Sequence, residues 1–306
     1  MSRRPNGTDN TTLLAYFVVV CLGGLSPVLV RITLRELPPL WGGFLRFGLA
    51  ALILGLFVVV RRIPLPRGRA LLGAVLFGSL GVGLSTALIY RGLVDTPAGV
   101  SQVILALVPL VTFLFAVAHR IEHFRWNALI GALIAVAGVA VVFNDQLSAN
   151  VPVLGMVSIL AASVTIAETT VLLKYFPSSN AFASNAIALP LAATGFFFAS
   201  FAFGEPRVLP RSPEVWLTFT WLTFLGTLGV ITLFLLIIQR LSASVASYQF
   251  LLMPLVTVAA SSVISGERIS PAFALGAAVV LLGVYVGIVR GARGAEPRVV
   301  PVPPVE

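Results

Sequence analysis

The stretch Pro109–Val141, PLVTFLFAVAHRIEHFRWNALIGALIAVAGVAV, returns 145 residues later as Pro254–Val286, PLVTVAASSVISGERISPAFALGAAVVLLGVYV, with no gap. Ten positions are identical: Pro109/Pro254, Leu110/Leu255, Val111/Val256, Thr112/Thr257, Glu122/Glu267, Gly131/Gly276, Ala132/Ala277, Gly138/Gly283, Val139/Val284 and Val141/Val286. Matches among Leu, Val and Ala carry little weight in an apolar chain. The Pro, the Glu and the two Gly carry more, because each keeps its spacing within a hydrophobic–polar–hydrophobic unit. The pattern reads as an internal duplication. The number of spans in each copy then decides the fold.

Of 306 residues, 58% are hydrophobic and 10% are charged, whereas a soluble domain has roughly a quarter of its residues charged. Such a chain cannot cover itself with polar surface, so the bilayer is its solvent. The single Cys21 excludes an intrachain disulfide and argues against a cysteine metal site. A net charge of +9 would suggest nucleic acid in a soluble protein. Here the basic residues sit in short loops and set membrane orientation instead, so no nucleic-acid partner is expected.

Apolar runs of spanning length occupy 13–31, 39–60, 70–91, 97–118, 127–144, 152–173, 181–203, 215–238, 243–264 and 271–290. The first is too long for a signal-peptide core and no A-x-A site follows it, so it reads as a retained span. The expected fold is an all-α integral membrane protein with ten transmembrane helices. Residues 1–12 form a polar tail, and 291–306 a Pro-rich tail expected to be disordered. With the N-terminus inside, the inner segments hold thirteen Lys and Arg and the outer segments six, which favours both termini in the cytoplasm. Each copy, 13–144 and 152–290, holds five spans. Five is odd, so the second copy inserts upside down, and inverted five-helix repeats are a transporter architecture.

Polar atoms are costly in hydrocarbon, so their placement is informative. Spans five and ten are nearly bare of them and rich in Gly and Ala, including Gly283 and Gly287, and read as packing helices. Spans three, four, six, eight and nine, with Ser26 and Pro27 of span one, are expected to build a cavity. The candidate solute-binding residues are Arg46, Tyr90, Gln102, Thr165, Glu168, Tyr248 and Gln249. Arg46 could hold a carboxylate, or be a snorkelling or structural arginine. Glu168 could couple protons or anchor a cation, or simply reach interfacial water or pair with a neighbouring helix. Tyr90, Tyr248 and Trp41 could equally be interface anchors. Pro109 and Pro254 sit near mid-span and read either as hinges or as static kinks. Glu122 and Glu267 read as turn charges paired with Arg125 and Arg268. His119 and His123 lack a third ligand at a sensible spacing. Nucleophile elbow, P-loop and dinucleotide turn are all missing, so neither an enzyme nor a cofactor or metal site is expected.

Three segments carry a family resemblance. WGGFLRFGLAALIL (41–54), TPAGVSQVILALVPLVTFLFA (96–116) with SASVASYQFLLMPLVTVAA (242–260), and the Glu267 turn SGERIS followed by Gly276 and Gly283 resemble segments of EamA-type members of the drug/metabolite transporter superfamily. The resemblance covers about 13–290. It departs at HRIEHFR (119–125), where the family usually has a shorter Gly-Glu turn. It implies ten helices, both termini cytoplasmic, and secondary transport, commonly export, of amino acids, metabolites or toxic cations. One Arg and one Glu within the spans suit a zwitterionic or weakly charged solute, with proton coupling possible. Export of lipophilic cations is the alternative within transport, and a non-transporting membrane scaffold the alternative outside it.

Overall fold

The apolar runs of the sequence fold as helices because, without water, each backbone N–H and C=O must find its partner within its own segment. A computed structural model describes residues 10–148, 152–241, 243–247, 249–264, 266 and 270–292. Its helices are α1 Asn10–Thr33, α2 Pro39–Val60, α3 Gly68–Asp95, α4 Ala98–Ala118, α5 Trp126–Ser148, α6 Val153–Leu172, α7 Ala181–Ala202, α8 Pro213–Arg240, α9 Ala243–Ser247, α10 Gln249–Ile264 and α11 Pro271–Ala292. Among the described residues there is no strand. Seven of these helices, α1 to α4 and α6 to α8, are long and apolar enough to cross a membrane, α6 with the 3-10 turn that follows it. Among the described residues, α5, α10 and α11 carry apolar stretches at Trp126–Gly138, Leu252–Ile264 and Pro271–Gly287. The outward faces are apolar: Leu52, Val59, Phe203 and Leu217 are each more than 70% exposed. Such a belt has its natural solvent in acyl chains.

Three helices depart from α geometry. Phe77–Leu84 within α3 and Leu222–Gly229 within α8 are wound as π-helix, eight residues each and 145 residues apart. α4 breaks at Ala106–Leu107, and Pro109 lies in the first turn of its second half, Val108–Ala118, where the missing proline N–H costs nothing. At the break the Ile104 carbonyl accepts from the Leu107 N–H at 3.1 Å and from the Ser163 hydroxyl of α6 at 3.4 Å. Pro254, its partner in the repeated stretch, sits inside α10 without interrupting it. Two matching prolines thus give one broken helix and one continuous helix.

α5 and α11 form the most extensive helix pair, α2 packs extensively on α7, and α1 packs closely on α10. Glycine makes these approaches possible. A Cβ on Gly131 would lie 2.3 Å from the Gly283 carbonyl oxygen, and one on Gly283 would lie 2.4 Å from the Ala135 nitrogen. On α1, a Cβ on Gly24 would lie 2.8 Å from the Met253 carbonyl oxygen, and the Thr257 hydroxyl of α10 bonds the Gly24 carbonyl. Gly131→Val should force α5 off α11 and cost about 1–3 kcal/mol. The expected result is a thermal midpoint lowered by several degrees in detergent-purified protein. Gly55→Val, where a Cβ meets nothing within 4 Å, should leave the midpoint unchanged.

Candidate functional site

Arg46 projects from the inner face of α2 and is only 6% exposed. Its Nε–H donates to Thr227 Oγ1 at 2.6 Å, and Nη1 donates to the Tyr90 hydroxyl oxygen at 2.7 Å. Thr227 belongs to the π turn of α8, and Tyr90 to α3. Among the described residues no carboxylate pairs with this guanidinium. Phe47 and Phe196 stack beside it with ring centroids 5.3 Å apart, and Tyr90 lies 6.0 Å from Phe196. Gly43 lets Phe196 come this close, since a Cβ there would meet its ring at 2.4 Å. The result is a cation buried between aromatic rings and neutral hydroxyls. Guanidinium has five N–H donors, and two of them have hydrogen-bond partners among the described residues. A buried charge without a counter-ion is costly, so the arrangement suits an anionic group arriving from outside the protein.

Gln102 and Gln249 are buried on helices that touch one another, α4 and α10. The Gln102 carbonyl oxygen and both amide atoms of Gln249 have no hydrogen-bond partner. Each such atom costs about 1–3 kcal/mol unless water or a solute satisfies it. Glu168 is elsewhere: Oε1 lies 2.9 Å from His119 Nε2, each side chain about a third exposed. It is therefore paired with a neighbouring helix end, and Tyr175 fixes the other side by donating to the His119 carbonyl at 2.8 Å. The Thr165 hydroxyl donates to the Ala161 carbonyl of its own helix. Glu122 pairs with Arg125 at 3.9 Å. Tyr248, Glu267 and Arg268 lie outside the described residues.

Sequence reasoning missed Thr227, because a threonine in a helix usually bonds its own backbone. It also missed Asn185, fully buried, whose Nδ2 donates to Thr232 Oγ1 at 3.3 Å while Oδ1 has no partner. The available signal for Thr227 was the Leu-Gly pair 80/81, which recurs at 225/226 on the same 145-residue offset.

Two carboxylates are exchanged between loops at one end of the bundle. Glu205, after α7, accepts from the Leu40 and Trp41 N–H groups that open α2, at 3.2 and 2.7 Å. Glu36, before α2, accepts from the Arg211 and Ser212 N–H groups that precede α8. Trp41 Nε1 also donates to the Val208 carbonyl at 2.7 Å. Beside this clamp lies a cavity of about 730 Å³ lined by Arg31, Arg35, Glu36 and Arg211 and by apolar groups that include Leu93, one turn from Tyr90. At the opposite end Lys174 donates to the Ile238 and Leu241 carbonyls at the C-terminus of α8, a favourable place for a cation.

Described residues that are all helical or loop, with seven helices long and apolar enough to span a bilayer, mark a multi-pass membrane protein. The sequence profile of the EamA-like transporter family matches twice, over 10–144 and 153–289, and the chain belongs to that family. It is a membrane transporter of the cell membrane. It is 27% identical to YedA of Escherichia coli (strain K12), described as an uncharacterized inner membrane transporter, over 94% of both chains. It is 25% identical to a probable amino-acid metabolite efflux pump of the same organism, over 90% of this chain and 94% of that one. A crystal structure 20% identical in sequence has the same fold, with a TM-score of 0.69 over 94% of this chain and 99% of that one.

The Glu36 carboxyl is held below its ordinary value of 4.5, first by the Arg211 N–H and then by Ser212. Its clamp is therefore complete above the unfolded-state value and is lost only as pH falls through the lower folded value. Glu36→Ala should speed amide exchange at Arg211 and Ser212 at neutral pH. The wild-type protein should reach that state only below pH 4.5. Hydrogen–deuterium exchange read by mass spectrometry tests both points, and unchanged exchange in the variant would show that the clamp is not made.

Proposed function

We propose that this transporter moves small organic solutes bearing a carboxylate, such as amino acids or related metabolites, out of the cell by secondary active, alternating-access transport. The observation that carries this reading is Arg46: a buried cation whose described partners are two hydroxyls and whose remaining N–H groups are free for an anion. In this reading Gln102 and Gln249 contribute polar contacts, and Tyr248 a further one. Glu168 with His119 is the place where protons are exchanged with the cytoplasmic side. The break before Pro109, and Pro254 within the continuous α10, act as joints.

The architecture proposed is ten transmembrane helices in two inverted five-helix repeats, 13–144 and 152–290, with both termini cytoplasmic. Several observations support it. The family profile matches twice. The two π turns stand at the offset of the repeated sequence. The helix contacts also exchange as an inverted repeat requires: α1 packs on α10 as α6 packs on α4, and α8 packs on α1 as α3 packs on α6. On this reading the Glu36–Glu205 clamp faces outward, and Lys174 and Glu168 face the cytoplasm. The relative described as an amino-acid metabolite efflux pump supports the solute class. Phe47, Tyr90 and Phe196 gather at Arg46 and Glu168 is already paired with His119, which disfavours an exporter of lipophilic cations.

The test is solute exchange by purified protein in proteoliposomes, with a panel of labelled L-amino acids and quaternary ammonium cations, with and without a pH gradient. Saturable exchange of at least one amino acid is expected. Arg46→Gln should raise its half-saturating concentration about tenfold or more, the worth of a lost charge-assisted hydrogen bond. Exchange of the cations alone, or amino-acid exchange indifferent to Arg46→Gln, would overturn the reading.

A further inference from the structure

The two π turns are alike in position and unlike in content. In α8, Thr223 and Thr227 are both fully buried. The Thr227 hydroxyl donates its proton to the Leu222 carbonyl at 3.1 Å, five residues back. That bond leaves its oxygen lone pair to receive the Arg46 Nε–H. In an ordinary α-helix a threonine bonds three or four residues back. The extra residue of the π turn therefore changes which carbonyl Thr227 reaches and turns its oxygen toward α2. The neighbouring Gly226 makes room, since a Cβ there would lie 3.0 Å from Arg46 Nη2.

The first π turn has no such site. The counterpart of Thr227 at the 145-residue offset is Val82. The helix facing it is α7, and all seven buried residues of α2 recur 142 residues later among the buried residues of α7. In that register Arg46 falls on Ala188. Gly78 of the first π turn closes against it, because a Cβ there would lie 2.6 Å from the Ala188 Cα. One π turn thus seals backbone on backbone, while its partner holds a hydroxyl against a guanidinium.

We propose that Thr227 is the positioning residue of the anion anchor: the π turn of α8 registers its hydroxyl on Arg46 Nε, fixing the guanidinium so that its Nη edge and the Tyr90 hydroxyl face the solute carboxylate together. This rests on the carboxylate reading above. It makes the anchor a single site off the repeat axis, with Arg46 and Tyr90 drawn from the first half and Thr227 from the second. Tyr90 accepts from Arg46, so its own proton remains for the carboxylate. A neutral amide gains less from this arrangement, because its carbonyl accepts without the charge and second oxygen of a carboxylate, so Thr227 governs the preference for an acid over its amide.

The test compares Thr227→Val, which keeps the shape and removes the hydroxyl, with Thr227→Ser, which keeps the hydroxyl. Each is assayed in proteoliposomes with labelled L-amino acids and their primary amides. Thr227→Val is expected to raise the half-saturating concentration for the acid about tenfold, with little change for the amide and in maximal rate. Thr227→Ser should stay within about twofold of wild type. Equal loss in both variants, or unchanged acid–amide preference in Thr227→Val, overturns the proposal. If Arg46→Gln also leaves the preference intact, the carboxylate reading itself has failed. If Arg46→Gln abolishes it while Thr227→Val does not, only the positioning role has failed. A solute-free check is the ¹⁵N resonance of Arg46 Nε–H in bilayers. It should be protected from water exchange in wild type and in Thr227→Ser, and unprotected in Thr227→Val; protection retained in Thr227→Val contradicts the proposal.

Discussion

A guanidinium buried within the helix bundle constrains this molecule more than any other described group. Removing a charge from water is expensive, and the expense grows when no counter-ion accompanies it. Arg46 has hydroxyls instead, and each requires its own local structure. Tyr90 arrives from α3, beyond that helix's π turn. Thr227 arrives from α8, and its hydroxyl is bonded in the π register. Phe47 and Phe196 fill the remaining wall, and Gly43 and Gly226 give the room that larger residues would take. Replacing either hydroxyl with an apolar group would leave the charge more poorly solvated, whereas adding a carboxylate from the protein would satisfy it permanently. The arrangement sits between these limits, as the proposed reversible anion site requires.

The backbone of the bundle obeys the same rule of satisfaction. Where α4 breaks, the Ile104 carbonyl is met by Leu107 and Ser163. Near Pro27 within α1, Thr257 of the adjoining α10 reaches the Gly24 carbonyl. At the loops, helix starts receive carboxylates and a helix end receives a lysine, each complementing the local dipole. The two ends are built differently. One is knit by exchanged carboxylates and the Trp41 indole. The other is held by Lys174, by Arg69 on the Tyr175 carbonyl and by the His119–Glu168 pair. A bundle of this kind has distinct contacts to break at each end.

Much of the fold was legible in the sequence. Hydropathy located the apolar helices within a few residues, since the bilayer demands long uninterrupted runs, and the duplicated PLVT stretch gave the register in which both π turns later fell. The site was legible in part. Arg46 and Tyr90 stood out as polar groups within apolar runs, and they do meet. Glu168 stood out for the same reason, yet its neighbour is His119, which opens a turn whose sequence departs from the family pattern. Thr227 was invisible because a buried threonine and a threonine bonded to its own helix look alike in sequence. Only the π register, which depends on tertiary packing, distinguishes them. The exchanged Glu36 and Glu205 were equally hidden, because charges in loops carry no mark of which helix start they will reach.

The most direct test of the central claim is a distance. Solid-state NMR on protein in bilayers, with the Arg46 guanidinium labelled with ¹⁵N and a transported L-amino acid labelled with ¹³C at its carboxylate, measures the dipolar coupling between them. The account predicts a coupling corresponding to about 4 Å, as in a hydrogen-bonded guanidinium–carboxylate pair, that vanishes when unlabelled solute is added in excess. A saturably bound solute whose carboxylate shows no coupling to Arg46 would contradict it.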